Sequence, residues 1–138
     1  MKVMAIDLGD VRTGVAFSDL TGFLAGRCYT ITPKGRTELI EKLCDAIREE
    51  KPGKVVLGLP LNMNGTEGPR AQKCRDFAVL LQEACGLPVE LWDERCSTVT
   101  ASHILSDAGK KRGRQRQQVD AVAATIILQS YLDAHPSR

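Results

Sequence analysis

Val3–Asp19, which reads VMAIDLGDVRTGVAFSD, predicts a strand, a glycine-marked turn and a second strand. The first strand is apolar on both faces and ends on Asp7. Such a strand lies in the covered middle of a sheet, where a charge without a partner is costly. Two interpretations of Asp7 stay open at this point: its carboxylate caps the turn through backbone N–H groups, or it faces a cationic group.

The composition is that of one globular domain. A chain of 138 residues is long enough to close a single core, so we expect one domain over residues 1–138. No basic and apolar leader and no long apolar run is found, which predicts a cytoplasmic protein without a membrane segment. The five cysteines never form a CxxC pair, so we expect neither disulfides nor a zinc site, and we expect most of them in the core.

Positive charge is concentrated in one short segment. Residues 110–116 contain five cations and no acid, so the rest of the chain is net acidic. This basic segment consists of Lys110, Lys111, Arg112, Arg114 and Arg116 together with Gly113 and Gln115. Its composition is typical of a contact with nucleic-acid phosphates, and equally of a solvated loop held open by its own repulsion.

The remaining pattern predicts the order β-β-β-α-β-α-β-α-α. A third strand is predicted over 24–31, further strands over 54–59 and 88–93, and helices over 37–51, 70–85, 97–107 and 117–132. A strand, a helix and a strand in succession imply a right-handed crossover to a parallel neighbour. We therefore predict an α/β fold with a mixed five-stranded sheet, three antiparallel strands followed by two parallel additions, and helices on both faces.

Acidic residues end two of the predicted strands and open the last helix. Asp7 ends the first strand, Asp93 and Glu94 end the last one, and Asp120 lies in the first turn of the final helix. If the strands are parallel, their ends meet at one sheet edge, where a packed helix brings Asp120 beside them. Three carboxylates so close together repel each other unless divalent cations bind, and oxygen ligands without histidine suit Mg²⁺ or Mn²⁺.

Taken singly, these acids have structural explanations. Glu94 pairs with Arg95 or Arg12 in one interpretation, and Asp120 interacts favourably with the dipole of its own helix. Taken together, they favour a site with two metal ions about 4 Å apart that hydrolyses phosphodiesters, with the basic segment holding the backbone.

Four motifs resemble the signatures of the YqgF/RuvX family, and they span nearly the whole chain. The family has an RNase H-like fold and comprises Holliday-junction-resolvase-like proteins and pre-16S rRNA nucleases of bacterial ribosome biogenesis. The motifs are Ile6-Asp7-x-Gly9-x-x-Arg12-x-Gly14-x-Ala16, Gly58-Leu59-Pro60-Leu61-Asn62-Met63-Asn64-Gly65-Thr66, Asp93-Glu94-Arg95-x-Ser97-Thr98 and Val119-Asp120-Ala121-x-Ala123-Ala124.

The resemblance implies a set of site residues. Asp7, Glu94 and Asp120 would be the catalytic and metal-binding acids, with Asp93 as the alternative to Glu94 because adjacent strand residues point to opposite faces. Two Mg²⁺ or Mn²⁺ ions would be the cofactors. Other members of the fold often carry a fourth acid on the strand that here ends at Leu59, where this chain has none. Nucleic-acid contacts would come from the basic segment and from Arg12, Asn62, Asn64 and Arg95.

The predicted function is metal-dependent hydrolysis of phosphodiester bonds in structured nucleic acid, with the 5′ end of pre-16S rRNA as the first choice of substrate. We expect a monomer or weak homodimer. Three alternatives stay open. The protein is a resolvase of branched DNA, or a non-catalytic RNA- or DNA-binding module in transcription. The Asp-x-Gly turn also resembles the phosphate loop of the sugar kinase and actin group, although those proteins close two such domains around a nucleotide.

Overall fold

The computed structural model describes residues 1–19, 25–62, 64–94 and 117–135, with the backbone alone for 117–121. These residues form five strands and three helices. The elements are β1 (Val3–Leu8), β2 (Thr13–Ser18), β3 (Ala25–Ile31), α1 (Arg36–Glu50), β4 (Lys54–Leu59), α2 (Pro69–Cys85), β5 (Val89–Asp93) and α3 (Gln117–Ala134). The predicted helix over 97–107 and the basic segment lie outside the described residues.

The sheet has the order β3-β2-β1-β4-β5. β1 pairs antiparallel with β2, and β2 with β3, whereas β4 runs parallel to both β1 and β5. The predicted mixed sheet with three antiparallel strands and two parallel additions is therefore confirmed. β1 lies at its centre because residues 3–6 are apolar and buried on both faces. β1, β4 and β5 end together at one side of the sheet, which we name the carboxyl edge.

Helices cover both faces of the sheet, as predicted. One face, which we name the α1/α2 face, buries Met4, Ile6, Val55 and Leu57 against those two helices. The other, the α3 face, buries Val3, Ala5 and Val56 against Ala124, Ile127 and Leu128 of α3. Odd and even residues of β1 thus enter different cores, as the two-residue period of a strand requires.

The β1–β2 turn is tight. A Cβ atom on Gly9 would overlap the Arg12 carbonyl oxygen, so only glycine fits where the chain reverses. This requirement explains the glycine that marks the predicted turn.

Two further expectations concern the cysteines and the membrane. Cys44 and Cys74 are buried free thiols of the α1/α2 core and Cys85 packs against it, so three of the four described cysteines agree with the expectation, whereas Cys28 is exposed on edge strand β3. No helix in the described ranges has the length and apolarity that a membrane crossing requires.

Candidate active site

Asp7 and Glu94 meet at the carboxyl edge on the α3 face. Asp7 follows Val3 and Ala5 in the strand alternation, and both of those residues belong to the α3 core. Glu94 comes directly after β5 and alternates with Trp92, which packs against the same core and pairs with Gly58. The two carboxyl side chains are hydrogen-bonded to each other. We name them the carboxylate pair.

The pair is electrostatically strained. Burial, the negative charge of Asp7 and the hydrogen bond between the two side chains together raise the pKa of Glu94 to about 7, while the Arg70 guanidinium acts in the opposite direction. A smaller contribution comes from the charge of Asp93. Because two negative charges close together repel each other, Glu94 keeps its proton to a higher pH than a free carboxyl group does. A bound cation would remove that cost.

Gly58 makes the space that Glu94 occupies. A Cβ atom on Gly58 would lie 3.2 Å from Glu94 Cγ, 3.3 Å from Glu94 Cδ and 2.7 Å from Ile127 Cδ1. Any larger side chain at this end of β4 would therefore displace Glu94 or Ile127. The missing fourth acid on β4 has a steric explanation, since Glu94 from the neighbouring strand fills that space.

The sheet register separates Asp93 from Glu94. Asp93 pairs with Leu59, which belongs to the α1/α2 core together with the β5 residues Val89 and Leu91. Asp93 therefore projects toward the opposite face from Asp7, and Glu94 toward the same face. Sequence alternation shows that the two acids differ in direction, and only the pairing with β4 shows which direction each one takes.

Asp120 lies in the first turn of α3, where it was predicted, and its side chain is outside the described atoms. It precedes Ile127 by seven residues, which is two helical turns, and Ile127 borders Gly58 and Glu94. Within the side chains that the structure describes, no three His, Cys, Asp or Glu residues are grouped to hold a metal ion. The structure thus brings together two of the three predicted acids.

The predicted nucleic-acid contacts have separate positions. Arg12 is half-buried in the β1–β2 turn. Asn62 and Asn64 shape their own loop: Asn62 Nδ2 donates to Thr66 Oγ1 at 3.0 Å, and Asn64 Oδ1 accepts from the Thr66 backbone N–H at 3.1 Å. Both asparagines are exposed, so these bonds leave the loop at the surface. Arg95 and the basic segment lie outside the described residues.

Three residues of α2 belong to the surroundings of the pair although the sequence did not point to them. Arg70 lowers the pKa of Glu94, and Lys73 Nζ lies 3.2 Å from Asp10 Oδ1. Cys74 is buried, and this burial, followed by the charge of Glu94, raises its pKa to about 11, so it stays a neutral thiol. The only signal in the sequence was the position of Arg70 and Lys73 in the first turns of a predicted helix that follows the expected nucleic-acid contacts Asn62 and Asn64.

The family model for RuvX, described as Holliday junction resolvase, matches residues 1–134. The chain belongs to the RuvX family. Its RuvX relatives include proteins of Pelotomaculum thermopropionicum, 47% identical over 97% of this chain and 88% of the relative, and of Thermoanaerobacter pseudethanolicus, 40% identical over the whole of both chains. Both carry the name "Putative pre-16S rRNA nuclease". The predicted family and the predicted enzyme class, a nuclease, are confirmed by these matches.

Solved structures confirm the RNase H-like fold of this RuvX chain. T. thermophilus RuvC in complex with a Holliday junction substrate superposes with a TM-score of 0.67 at 13% identity, covering 100% of this chain and 98% of that one. The Fowlpox virus resolvase with Holliday junction DNA superposes with a TM-score of 0.65 at 11% identity, over 99% and 100% of the two chains. At these identities the likeness is one of fold.

Proposed function

We propose that this RuvX protein is a divalent-metal-dependent nuclease that cleaves phosphodiesters of structured RNA at the 5′ end of pre-16S rRNA in the cytoplasm. The observation that carries the proposal is the hydrogen-bonded pair of Asp7 and Glu94 at the carboxyl edge, with the pKa of Glu94 raised to about 7. A strained carboxylate pair of this kind is typical of a functional site.

The donor set fits Mg²⁺ or Mn²⁺. Asp7 and Glu94 offer oxygen ligands only, and their mutual repulsion is what a cation relieves. Asp120 is the third proposed ligand, since it lies on the helix that packs against this face. When bound, two such ions stabilise the charge that develops on the phosphodiester oxygens during hydrolysis.

Side chains of the protein would bind the cation, limit the access of water and attract the phosphate backbone. Asp7 and Glu94 would hold the cation through their carboxylate oxygens, and its charge would favour the ionised form of both groups. Ile127 and Trp92 form an apolar border that limits water around Glu94. Arg70 and the basic segment attract the phosphate backbone, the first beside the pair and the second just before Asp120 in the chain.

The names of the relatives favour precursor rRNA as the substrate. The second candidate is resolution of Holliday junctions, which the description of the family model favours. Two symmetric cuts in a junction require a two-fold dimer, whereas trimming of an RNA end does not. We propose a monomer or weak homodimer, which suits the first substrate better.

The test is cleavage of a 5′-labelled pre-16S RNA fragment and of a four-way DNA junction, each with Mg²⁺ or Mn²⁺. Asp7→Asn should lower the rate by about 100-fold or more, as expected for loss of a group that acts directly on the reaction. Asp93→Asn, which changes the neighbouring acid on the opposite face, is the matched control and should retain most activity. Equal rates for wild type and Asp7→Asn would refute a nuclease site at the carboxylate pair.

A further inference from the structure

A cavity of about 380 Å³ opens on the α1/α2 face of the carboxyl edge. It is bounded by the β1–β2 turn, by the segment that leads into α1 and by the first turns of α2. We name it the cation cavity. Its polar lining consists of Asp10, Thr13, Lys34, Arg36, Arg70 and Lys73.

The lining has an excess of positive charge. Lys73 pairs with Asp10 at 3.2 Å. In the part of the chain that the structure describes, Lys34, Arg36 and Arg70 form no ion pair with a carboxylate, and Asp10 is the one acid of the lining. Like charges gathered around one concave space repel each other, and an anion in that space relieves the repulsion.

Two further kinds of hydrogen-bond donor lie at the cation cavity. α1 begins at Arg36 after Gly35, which has no side chain to cap the helix, so N–H groups of the first turn lack an intrahelical acceptor beside the cavity. Thr13 is 1% exposed and lines the same space, where its hydroxyl adds a further hydrogen-bond donor. Cations, N–H groups and a hydroxyl together suit a phosphate group.

The cavity adjoins the carboxylate pair. Leu8 lines the cavity and follows Asp7 directly in β1, so the two sites lie on opposite faces of the same strand end. Arg70 and Cys74 line the cavity, and the positive charge of Arg70 also opposes the rise in the pKa of Glu94. A strand that crosses the carboxyl edge would therefore meet the pair on one side and the cavity on the other.

We propose that the cation cavity binds a phosphate group of the substrate strand, a neighbour of the phosphodiester that is cleaved at the carboxylate pair. This inference rests on the proposed nuclease function. A cavity of about 380 Å³ is at the lower end of the range for small-ligand sites, so it holds a phosphate with its sugar rather than a duplex. The shared edge favours a strand phosphate over a free nucleotide, and the experiment separates these two sources.

The test compares two double variants, one at the start of α1 and one along it, with equal loss of charge. Lys34→Gln with Arg36→Gln removes two cations from the cavity, whereas Lys42→Gln with Arg48→Gln removes two that pair with Glu38 and Asp45 along the helix. Binding of a labelled single-stranded RNA is measured by fluorescence anisotropy in EDTA over a series of salt concentrations. The cavity variant should bind about tenfold more weakly at low salt, with a salt slope reduced by about one to two. The control variant should retain the wild-type slope.

Thr13→Val is a second, uncharged variant. It replaces the hydroxyl by a methyl group of similar size, so the melting temperature should change little while RNA binding weakens several-fold. A lower melting temperature with unchanged RNA binding would show that the hydroxyl serves the fold and would contradict the proposal.

Equal salt slopes in the cavity and control variants would overturn the inference. A second result would also overturn it. If AMP or inorganic phosphate raises the melting temperature of the wild type but not of the cavity variant, and the salt slopes for RNA are equal, the cavity is a site for free phosphate compounds. Because binding is measured in EDTA, these outcomes do not depend on cleavage. Failure of the nuclease function would instead appear as equal cleavage rates for wild type and Asp7→Asn.

Discussion

The two faces of the carboxyl edge differ in charge. On the α3 face, Asp7 and Glu94 share a hydrogen bond and the pKa of Glu94 is raised, whereas on the α1/α2 face cations surround a cavity whose described lining has one acid, Asp10. Consecutive residues of β1, Asp7 and Leu8, belong to these opposite surroundings. Under the two proposals above, one strand end would serve both sides of phosphodiester chemistry: the acids of one face would hold divalent cations, and the cations of the other face would hold the phosphate chain.

The largest expected effect is a loss of activity when Glu94 on the α3 face is changed, compared with a change of Asp10 on the α1/α2 face. Glu94→Gln should reduce kcat for RNA cleavage by about 100-fold, since it removes half of the carboxylate pair. Asp10→Asn should leave kcat within about threefold, because Asp10 is exposed and pairs only across the surface with Lys73. It should also tighten RNA binding, since Lys73 loses its competing partner. Similar losses of kcat in both variants would remove the functional distinction between the faces.

The next largest expected effect is the stabilisation of the folded protein by a bound metal ion, which is measured without an activity assay. Mn²⁺ at about 100 times its Kd should stabilise the wild type by about 2.7 kcal/mol, seen as a higher melting temperature. Asp7→Asn should abolish this stabilisation, and the Lys34→Gln and Arg36→Gln variant should retain it. Loss of stabilisation in the cavity variant would show that the metal ion binds on the other face.

The pH dependence of stability follows from Glu94. Its pKa is raised from 4.5 in the unfolded chain to about 7, so the folded state binds the proton more tightly. The stabilising contribution is therefore complete below about pH 4.5 and is lost as the pH rises through about 7. In EDTA, we expect a loss of about 1–2 kcal/mol across this window after allowance for solvent screening.

Glu94→Gln is the variant that tests this dependence, because it removes the titrating group and keeps the shape. Its melting temperature should vary less between pH 5 and pH 8 than that of the wild type by about 3–6 °C. A steeper decline in the variant would show that another group determines the pH dependence.

The smallest effect compares two glycines. Gly58→Ala places a Cβ 2.7 Å from Ile127 Cδ1 and 3.2 Å from Glu94 Cγ, which should cost about 1 kcal/mol and lower activity several-fold through displacement of Glu94. Gly35→Ala meets no atom within 4 Å and keeps an extended backbone, so stability should stay within about 1 kcal/mol of wild type. Chemical denaturation measures both. Equal costs would show that Gly58 does not shape the site.

Strand pairing decided what alternation left open. The sequence showed that Asp93 and Glu94 point in opposite directions, and the register of β5 on β4 placed Glu94 on the side of Asp7. The cation cavity was beyond prediction for a different reason. Lys34, Arg36, Arg70 and Lys73 follow no common pattern in the sequence, and they meet only because α1 and α2 both begin at the carboxyl edge.

The sequence by itself determined the order of the elements, the mixed sheet, the family and the acids at the strand ends. These features depend on local periodicity and on motifs a few residues long, which a single chain displays directly. Only the tertiary structure decided which acids face each other, why no acid stands on β4 and where the cations of two helices gather. Those features depend on the lateral register of strands and on distances between segments far apart in the chain, which no local pattern encodes.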